Sequence, residues 1–143
     1  MTIVVDTREH YGYRFAGGTC RSCGLRFPRA TAAVQNQDGA IVAAVERKTL
    51  ENPATTLSDG TLAFQMQRLA ELPLSAVVVE GRYPALLSSP HVPAAWLGDV
   101  LARLQVRYPE VQVVFADSRR FAEEWMYRFL AAAVADAPGE TPG

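Results

Sequence analysis

The stretch that decides the fold runs from residue 40 to residue 48 and reads Ala40-Ile41-Val42-Ala43-Ala44-Val45-Glu46-Arg47-Lys48. Six apolar residues precede three consecutive charged residues, a pattern typical of a strand that is buried on both faces until it reaches the edge of a sheet. Residues two apart lie on the same side of an extended strand. The segment therefore predicts that Glu46 and Lys48 place a carboxylate and an ammonium group on one side of the strand.

The residues before this strand predict a β-hairpin. A first strand over residues 31–36 is joined to the second, residues 40–46, by Asn36-Gln37-Asp38-Gly39. The Asp-Gly pair supplies the positive φ that a tight hairpin turn requires. Nearer the start of the chain, the β-branched residues 3–5 predict another short buried strand that ends at Asp6.

Strand and helix patterns alternate along the rest of the chain. Strands are predicted at residues 76–81 and 111–115, and helices at residues 61–71, 95–106 and 118–134, the last with Ser118 as its N-cap. The alternation predicts one α/β domain, a mixed central β-sheet flanked by helices, over residues 1–135, with a flexible tail at residues 136–143.

Three segments carry breaker residues and give weaker patterns. Residues 10–29 predict a loop with a short strand near Tyr13–Phe15, residues 49–57 a helix broken at Pro53, and residues 82–93 a proline-containing loop.

The composition indicates a globular protein without a strong overall charge. Of the 143 residues, 49% are hydrophobic and 20% are charged, and the formal net charge is −1. A protein so close to neutral would contact phosphates locally instead of through a broad basic surface. The first residues lack a signal-peptide pattern, and no apolar run reaches the length of about 18 residues that a membrane span needs. We therefore expect a cytoplasmic, nucleoid-associated protein with no membrane partner.

Three acids end apolar strands, namely Asp6, Glu46 and Glu80. An open α/β sheet binds its ligands at such strand ends, and carboxylates there bind Mg²⁺ or Mn²⁺. A metal can polarise a phosphate and activate water, while a neighbouring lysine offsets the developing negative charge. Lys48 is the single lysine among fourteen basic residues. The pattern favours phosphodiester hydrolysis, with Arg8 and Arg47 binding flanking phosphates.

Two segments together resemble the nuclease domain of the XPF/Hef/FANCM family: Val4-Val5-Asp6-Thr7-Arg8-Glu9 and Val45-Glu46-Arg47-Lys48-Thr49-Leu50. The resemblance continues through Leu57-Ser58-Asp59-Gly60, Gln65 with Arg68, and Val77-Val78-Val79-Glu80-Gly81, and covers most of residues 2–130. It implies a restriction-endonuclease-like core, dependence on Mg²⁺ or Mn²⁺, and cutting of branched, flapped or splayed-arm DNA, commonly as a dimer.

The resemblance also implies roles for individual residues. Asp6 and Glu46 would bind the metal, Lys48 would be the catalytic lysine, and Glu9 and Glu80 would belong to a surrounding charged shell. Contacts with DNA are expected from Arg8, Arg14, Arg47, Gln65 and Arg68.

Two positions depart from the family motif. Ala30-Thr31 replaces the expected glycine-aspartate pair, and Asn52 replaces the acid four residues after the lysine. Because carboxylates are the preferred ligands, metal binding is expected to be weak. Two functions remain open: a metal-dependent endonuclease, and a catalytically weak or inactive DNA-binding module that works with a partner subunit.

Two further patterns lie outside the motif. Cys20 and Cys23 form a lone CxxC pair, and because structural zinc takes four ligands, unligated thiols are the favoured interpretation over zinc. In the last predicted helix, Trp125, Tyr127 and Phe129 are spaced as core or interface residues more than as a DNA-stacking face. We expect a homodimer, or a heterodimer with a related chain, through the two C-terminal helices.

Overall fold

The computed structural model describes residues 2–6, 19–23, 31–49, 60–88 and 92–136, with the backbone alone for the first two ranges apart from the side chain of Ile3. Within these ranges the elements follow one another as β1 (Thr2–Asp6), β2 (Thr19–Cys23), β3 (Thr31–Gln35), β4 (Ile41–Thr49), α1 (Thr61–Leu69), β5 (Leu74–Glu80), α2 (Tyr83–Leu86), α3 (Ala94–Arg107), β6 (Val111–Phe115) and α4 (Arg119–Ala135). No helix in these ranges is long and apolar enough to cross a membrane.

The six described strands form one mixed sheet in the order β2-β1-β3-β4-β5-β6. β3 is antiparallel to β1 and to β4, whereas the pairs β1–β2, β4–β5 and β5–β6 are parallel. The carboxyl ends of β1, β4, β5 and β6 consequently lie at the same edge of the sheet, together with the first residue of β3. The strand ends that carry Asp6, Glu46 and Glu80 therefore share one edge.

The predicted hairpin is present, and its turn fixes the register of β3 and β4. Gly39 has a φ of 83°, and the Asn36 side chain accepts hydrogen bonds from the backbone N–H groups of Asp38 and Ala40 at 2.9 and 3.0 Å. Beyond a register shift between Val34 and Gln35, the pairing is regular from Val34 back to Thr31.

Helices cover both faces of the sheet and create two cores. On one face, which we call the α3 face, α1, α2 and α3 pack over strand residues that include Ala33, Ala44, Val77 and Val79. On the other, the α4 face, α4 packs over Ile3, Ala32, Val34, Ala43, Val45, Ala76 and Val78. Consecutive residues of β4 alternate between these faces, as the pleat of a strand requires.

The last helix begins and packs as its sequence predicts. The Ser118 hydroxyl accepts a hydrogen bond from the Phe121 N–H at 3.3 Å, which satisfies one of the free donors at the start of α4. Its buried residues recur at helical spacing as Ala122, Met126, Leu130 and Ala133. Trp125 and Phe129 stack with ring centroids 5.1 Å apart and pack against the same core, which agrees with the interpretation of these aromatics as packing residues.

Some elements differ from the prediction. β2 and α2 were both predicted as loop: β2 is polar and without alternation, and α2 is a four-residue turn that holds Pro84 near its start. β4 extends to Thr49 and therefore contains all three charged residues of its end. The short strand predicted near Tyr13–Phe15, the broken helix at 49–57 beyond Thr49, and the tail after Asp136 lie outside the described residues.

The described sheet ends at β6, and the side chain of Gln105 covers part of this edge. Its amide nitrogen donates to the Val111 carbonyl at 2.7 Å, and its amide oxygen accepts from the Val113 N–H at 3.1 Å. Gln105 thus occupies the positions that an adjacent strand would take. At the carboxyl ends of β5 and β6, an ion pair between Arg82 and Asp117 joins the two following loops.

Candidate functional site

Glu46 is a carboxylate inside the protein, held by a hydroxyl group. Only 1% of the residue is exposed, and its Cα partner across the hairpin is Thr31, which is fully buried. The Thr31 hydroxyl donates a hydrogen bond of 2.5 Å to Glu46 Oε2. This hydrogen bond holds one oxygen of the Glu46 side chain in a fixed direction.

Lys48 lies on the same side of β4 as Glu46, as the two-residue spacing predicts. Its ammonium nitrogen Nζ is 3.6 Å from Glu46 Oε1, and its side chain is 15% exposed. The two oxygens of one buried carboxylate thus face different groups, a hydroxyl and an ammonium. A positive group with limited access to solvent, next to a buried acid, is an arrangement that suits acid-base or phosphate chemistry.

Arg47 and Glu80 lie on the opposite face of the sheet. Arg47 alternates with Glu46, and its Nε is 3.8 Å from Glu80 Oε1, with both side chains 11% exposed. Sequence reasoning had placed Arg47 beside Glu46 and Lys48, and had considered Glu80 as a further acid there. The alternation of β4 and β5 separates both residues from Glu46, because Val45 and Val78, on their side, pack under α4.

The backbone brings Asp6 to the same edge. Asp6 is the last residue of β1, and its neighbour Val5 has Ala32 as Cα partner, so Asp6 comes level with Thr31 in the adjacent strand. Thr31 is in turn the partner of Glu46. The ends of β1 and β4 therefore lie at one edge, and the convergence of the Asp6 side chain with Glu46 and Lys48 stays a prediction. Arg8, Glu9, Arg14 and Asn52 lie outside the described residues.

Gln65 and Arg68 both belong to α1, in the crossover from β4 to β5, but differ in environment. The Gln65 amide oxygen is buried and has no hydrogen-bond partner among the described residues. Arg68 is exposed, and its guanidinium carbon lies 5.8 Å from the centroid of the Phe64 ring. Arg68 is therefore accessible to a phosphate, whereas Gln65 is half-buried.

Cys20 and Cys23 occupy β2, where their Cα partners are Ile3 and Asp6. Three residues of extended strand separate their Cα atoms by about 10 Å. This separation exceeds the limit of about 7 Å between Cα atoms that a disulfide requires. Cys23 is therefore next to Asp6 in the sheet, on the side of β1 away from β3.

The described side chains supply few ligands for a divalent ion of the magnesium type. Within the described ranges no group of three or more His, Cys, Asp or Glu side chains comes together. Glu46 offers one carboxylate, and the backbone register places Asp6 one strand beyond Thr31. Mg²⁺ is commonly bound by one or two protein carboxylates, with water and substrate phosphates completing its shell. Glu46 supplies one such carboxylate among the described side chains, and the backbone position of Asp6 is compatible with a second.

Sequence reasoning treated Thr31 as a lost ligand and missed its hydrogen bond to Glu46. The pairing of Thr31 with Glu46 depends on the register shift between Val34 and Gln35. Equal counting from the pair Gln35 and Ile41, next to the turn, would place Val45 opposite Thr31 instead. A hydroxyl group opposite a buried acid can donate a hydrogen bond to it, so Thr31 has a role of its own in addition to replacing the carboxylate of the family motif.

Comparison with known proteins agrees with this geometry. The family model described as the ERCC4 domain matches residues 5–129. A structure of XPF from Aeropyrum pernix is similar with a TM-score of 0.73 at 22% identity, covering 93% of this chain and 65% of that chain. Another, of the same protein in complex with DNA, has a TM-score of 0.63 at 24% identity, covering 92% of this chain and 65% of that chain.

The chain thus spans less than two thirds of the length of these structures, at 65% in each. No curated protein matches it. The structural similarity confirms the predicted α/β fold with a mixed sheet and a restriction-endonuclease-like core.

Proposed function

Because the chain belongs to the ERCC4 domain family, whose model matches residues 5–129, we propose that it is a DNA-binding nuclease domain that cuts branched or flapped DNA with the help of a divalent metal ion. The observation that carries this proposal is the contact of 3.6 Å between Lys48 and the buried Glu46 at the edge of the sheet where β1 also ends.

Lys48 has the chemistry that phosphodiester hydrolysis requires. Attack on phosphorus increases the negative charge on the phosphoryl oxygens, and a fixed ammonium group stabilises that charge. Glu46 holds the ammonium group in place, and the 15% exposure of the Lys48 side chain leaves it a path to a substrate at the surface. An arginine would not be equivalent, because its planar guanidinium group binds two oxygens at once, whereas the ammonium group of lysine is a compact point charge.

Asp6 and Glu46 would hold Mg²⁺ or Mn²⁺. Such an ion, when bound, polarises the phosphate and lowers the pKa of a bound water molecule. Binding is expected to be weak, since Thr31 and Asn52 stand where the family motif has acids. The remaining steps assigned to this chain are the orientation of the phosphate by Lys48 and the binding of flanking phosphates.

DNA is the proposed partner. XPF from Aeropyrum pernix has been solved in complex with DNA, and its fold resembles this one with a TM-score of 0.63. The exposure of Arg68 supports a contact with a DNA phosphate, and Arg8 and Arg14 are proposed as further contacts from sequence. The buried pairing of Arg47 makes it a weaker candidate than Arg68 for direct contact. The net charge of −1 implies that these contacts are few and local.

A second candidate function is a DNA-binding module with little or no catalysis, dependent on a partner subunit. The specific observation in its favour is that Thr31 donates to Glu46 where an acid is expected, while Glu80 lies on the α4 face and adds no third carboxylate. Under this function the chain binds branched DNA, and cutting depends on the partner.

Cleavage of an end-labelled splayed-arm or flapped DNA with Mn²⁺ decides between the two. The native chain should cut, and Lys48→Ala should lower the rate by about 10²-fold to 10³-fold while DNA affinity changes little. Arg103→Ala, at an exposed ion pair on α3, is the matched control for loss of a positive charge. Equal products from native protein and Lys48→Ala would contradict the endonuclease proposal. Binding without any cutting would favour the module.

A further inference from the structure

We propose that Thr31 is a positioning residue that, together with Lys48, compensates the charge of the buried Glu46 carboxylate, so that the domain folds and keeps this side chain in place without a divalent ion. The inference rests on the proposed function in one respect, the assignment of Glu46 as a metal ligand. The inference concerns the protein in the absence of bound metal and DNA.

The need for compensation follows from the surroundings of Glu46. The residue is 1% exposed, and its Cα partner in β5 is Val77, which is fully buried in the core of the α3 face. An ionised carboxylate in such surroundings is costly unless hydrogen bonds and an opposite charge replace its lost hydration. A bound cation can offset this cost. Polar and charged side chains of the protein can offset it as well.

The described contacts place a hydrogen bond on one oxygen and an opposite charge near the other. Thr31 donates its hydroxyl to Oε2 at 2.5 Å, and Lys48 Nζ lies 3.6 Å from Oε1. Thr31 suits the task because a β-branched side chain in a strand has few accessible rotamers, so its hydroxyl is held in one direction. The donor is therefore in place before any ligand binds.

A carboxylate at position 31 would have the opposite effect. Directly paired residues of antiparallel strands have Cα atoms about 4.5–5.5 Å apart, so two acids there would repel each other inside the protein. Such a pair needs a cation between the two carboxylates or a proton on one of them. Thr31 therefore separates the folding of this site from the presence of metal, and an acid at the same position would couple the two.

The melting temperature of the full chain, measured in EDTA and in Mn²⁺, tests this inference with four proteins. The native chain should melt within about 2 °C in the two conditions, since weak binding adds little stability. Thr31→Val keeps the shape and removes the hydroxyl, and should melt about 5 °C or more below native in EDTA. Thr31→Ser should retain most of the native melting temperature. Thr31→Asp should be the least stable in EDTA and rise by about 5 °C or more in Mn²⁺.

Ser75→Ala is the matched control. Ser75 is also buried, and its hydroxyl donates to the Leu69 carbonyl at 2.9 Å, which carries no formal charge. Its loss should lower the melting temperature equally in EDTA and in Mn²⁺. A second test repeats Thr31→Val in a Glu46→Leu background, where the hydroxyl no longer faces a carboxylate and its removal should cost little.

Two results would overturn the inference. One is a Thr31→Val protein as stable as native in EDTA. The other is a loss on Thr31→Val that is the same with Leu at position 46 as with Glu. None of these measurements uses DNA cleavage, so a chain that never cuts DNA would remove the proposed function and leave this inference to be judged by its melting temperatures.

Discussion

Arg47 Nε lies 3.8 Å from Glu80 Oε1 on the α4 face, whereas Glu46 and Lys48, the residues on either side of Arg47 in sequence, meet on the α3 face. Three consecutive charged residues are thus divided by the pleat of β4 into two separate groups. One group surrounds a carboxylate that also accepts from Thr31, and the other links β4 to β5. Arg47 and Lys48 consequently serve different purposes despite their shared charge.

Arg47→Ala should therefore act mainly on stability. Removing the arginine takes a cation away from Glu80, whose side chain is only 11% exposed, and should lower the free energy of unfolding by about 2–4 kcal/mol. Urea denaturation followed by circular dichroism measures the change. Arg103→Ala, which breaks an exposed pair with Asp99, should cost less than about 0.5 kcal/mol. Losses of similar size in the two variants would contradict the structural assignment of Arg47.

Restoring the two acids of the family motif should strengthen metal binding. The double variant Thr31→Asp with Asn52→Asp adds two carboxylates where the family has them, and should bind Mn²⁺ at least about tenfold more tightly than the native chain. Isothermal titration calorimetry measures the affinity, with Thr31→Ser as the uncharged control. An affinity unchanged by both acids would mean that the register of the motif on this chain is misassigned.

Arg68→Ala should weaken DNA binding in a salt-dependent way. If the exposed guanidinium binds a phosphate, its loss should lower the slope of log affinity against log salt by about 1, with little dependence on base sequence. Fluorescence anisotropy with splayed-arm DNA at several salt concentrations measures this slope. Arg107→Ala is the matched control, because Arg107 also lies over an aromatic ring, that of Tyr108, at 5.6 Å on α3. The same slope for Arg68→Ala and the native chain would argue against a phosphate contact.

Self-association stays a prediction. α3 and α4, the two helices through which the dimer is expected, lie on opposite faces of the sheet. α3 exposes Trp96 at 41% and Val106 at 82%, and α4 exposes Phe121 at 52%. Sedimentation at micromolar concentration should give about twice the chain mass of 15.6 kDa.

Variants of Phe121 and Val106, one exposed residue from each helix, test which helix carries the dimer. We expect Phe121→Ser to weaken association more than Val106→Ser, because aromatic residues dominate interface energies. A native chain that sediments at 15.6 kDa with and without DNA would contradict the homodimer and leave a heterodimer with a related chain to be tested.

Much of the fold was predictable because its central strands are unusually apolar. The hairpin of β3 and β4 carries its own turn signal, and β6 was predicted with its observed bounds at residues 111–115. β2 was missed for a physical reason. Its sequence, Thr19-Cys20-Arg21-Ser22-Cys23, has no apolar alternation, and it is held by pairing with the distant β1, which local pattern does not encode.

The site was predictable where it depends on the two-residue repeat by which side chains of a strand alternate between its faces. That period predicted the contact between Glu46 and Lys48, and it also implied that Arg47 points the other way, which the family resemblance had obscured. The hydrogen bond from Thr31 needed the register of the hairpin as well as its existence. The placement of Glu80 needed the pairing of β5 with β4, a parallel contact formed across a helical crossover.

The side chain of Gln105 has a consequence for how the protein behaves when it is concentrated. A strand from another molecule that added to β6 would find the Val111 carbonyl and the Val113 N–H already bonded to that amide. An unprotected edge strand is a template for intermolecular strand pairing and fibril growth. Gln105 therefore discourages open-ended polymerisation from this side of the sheet.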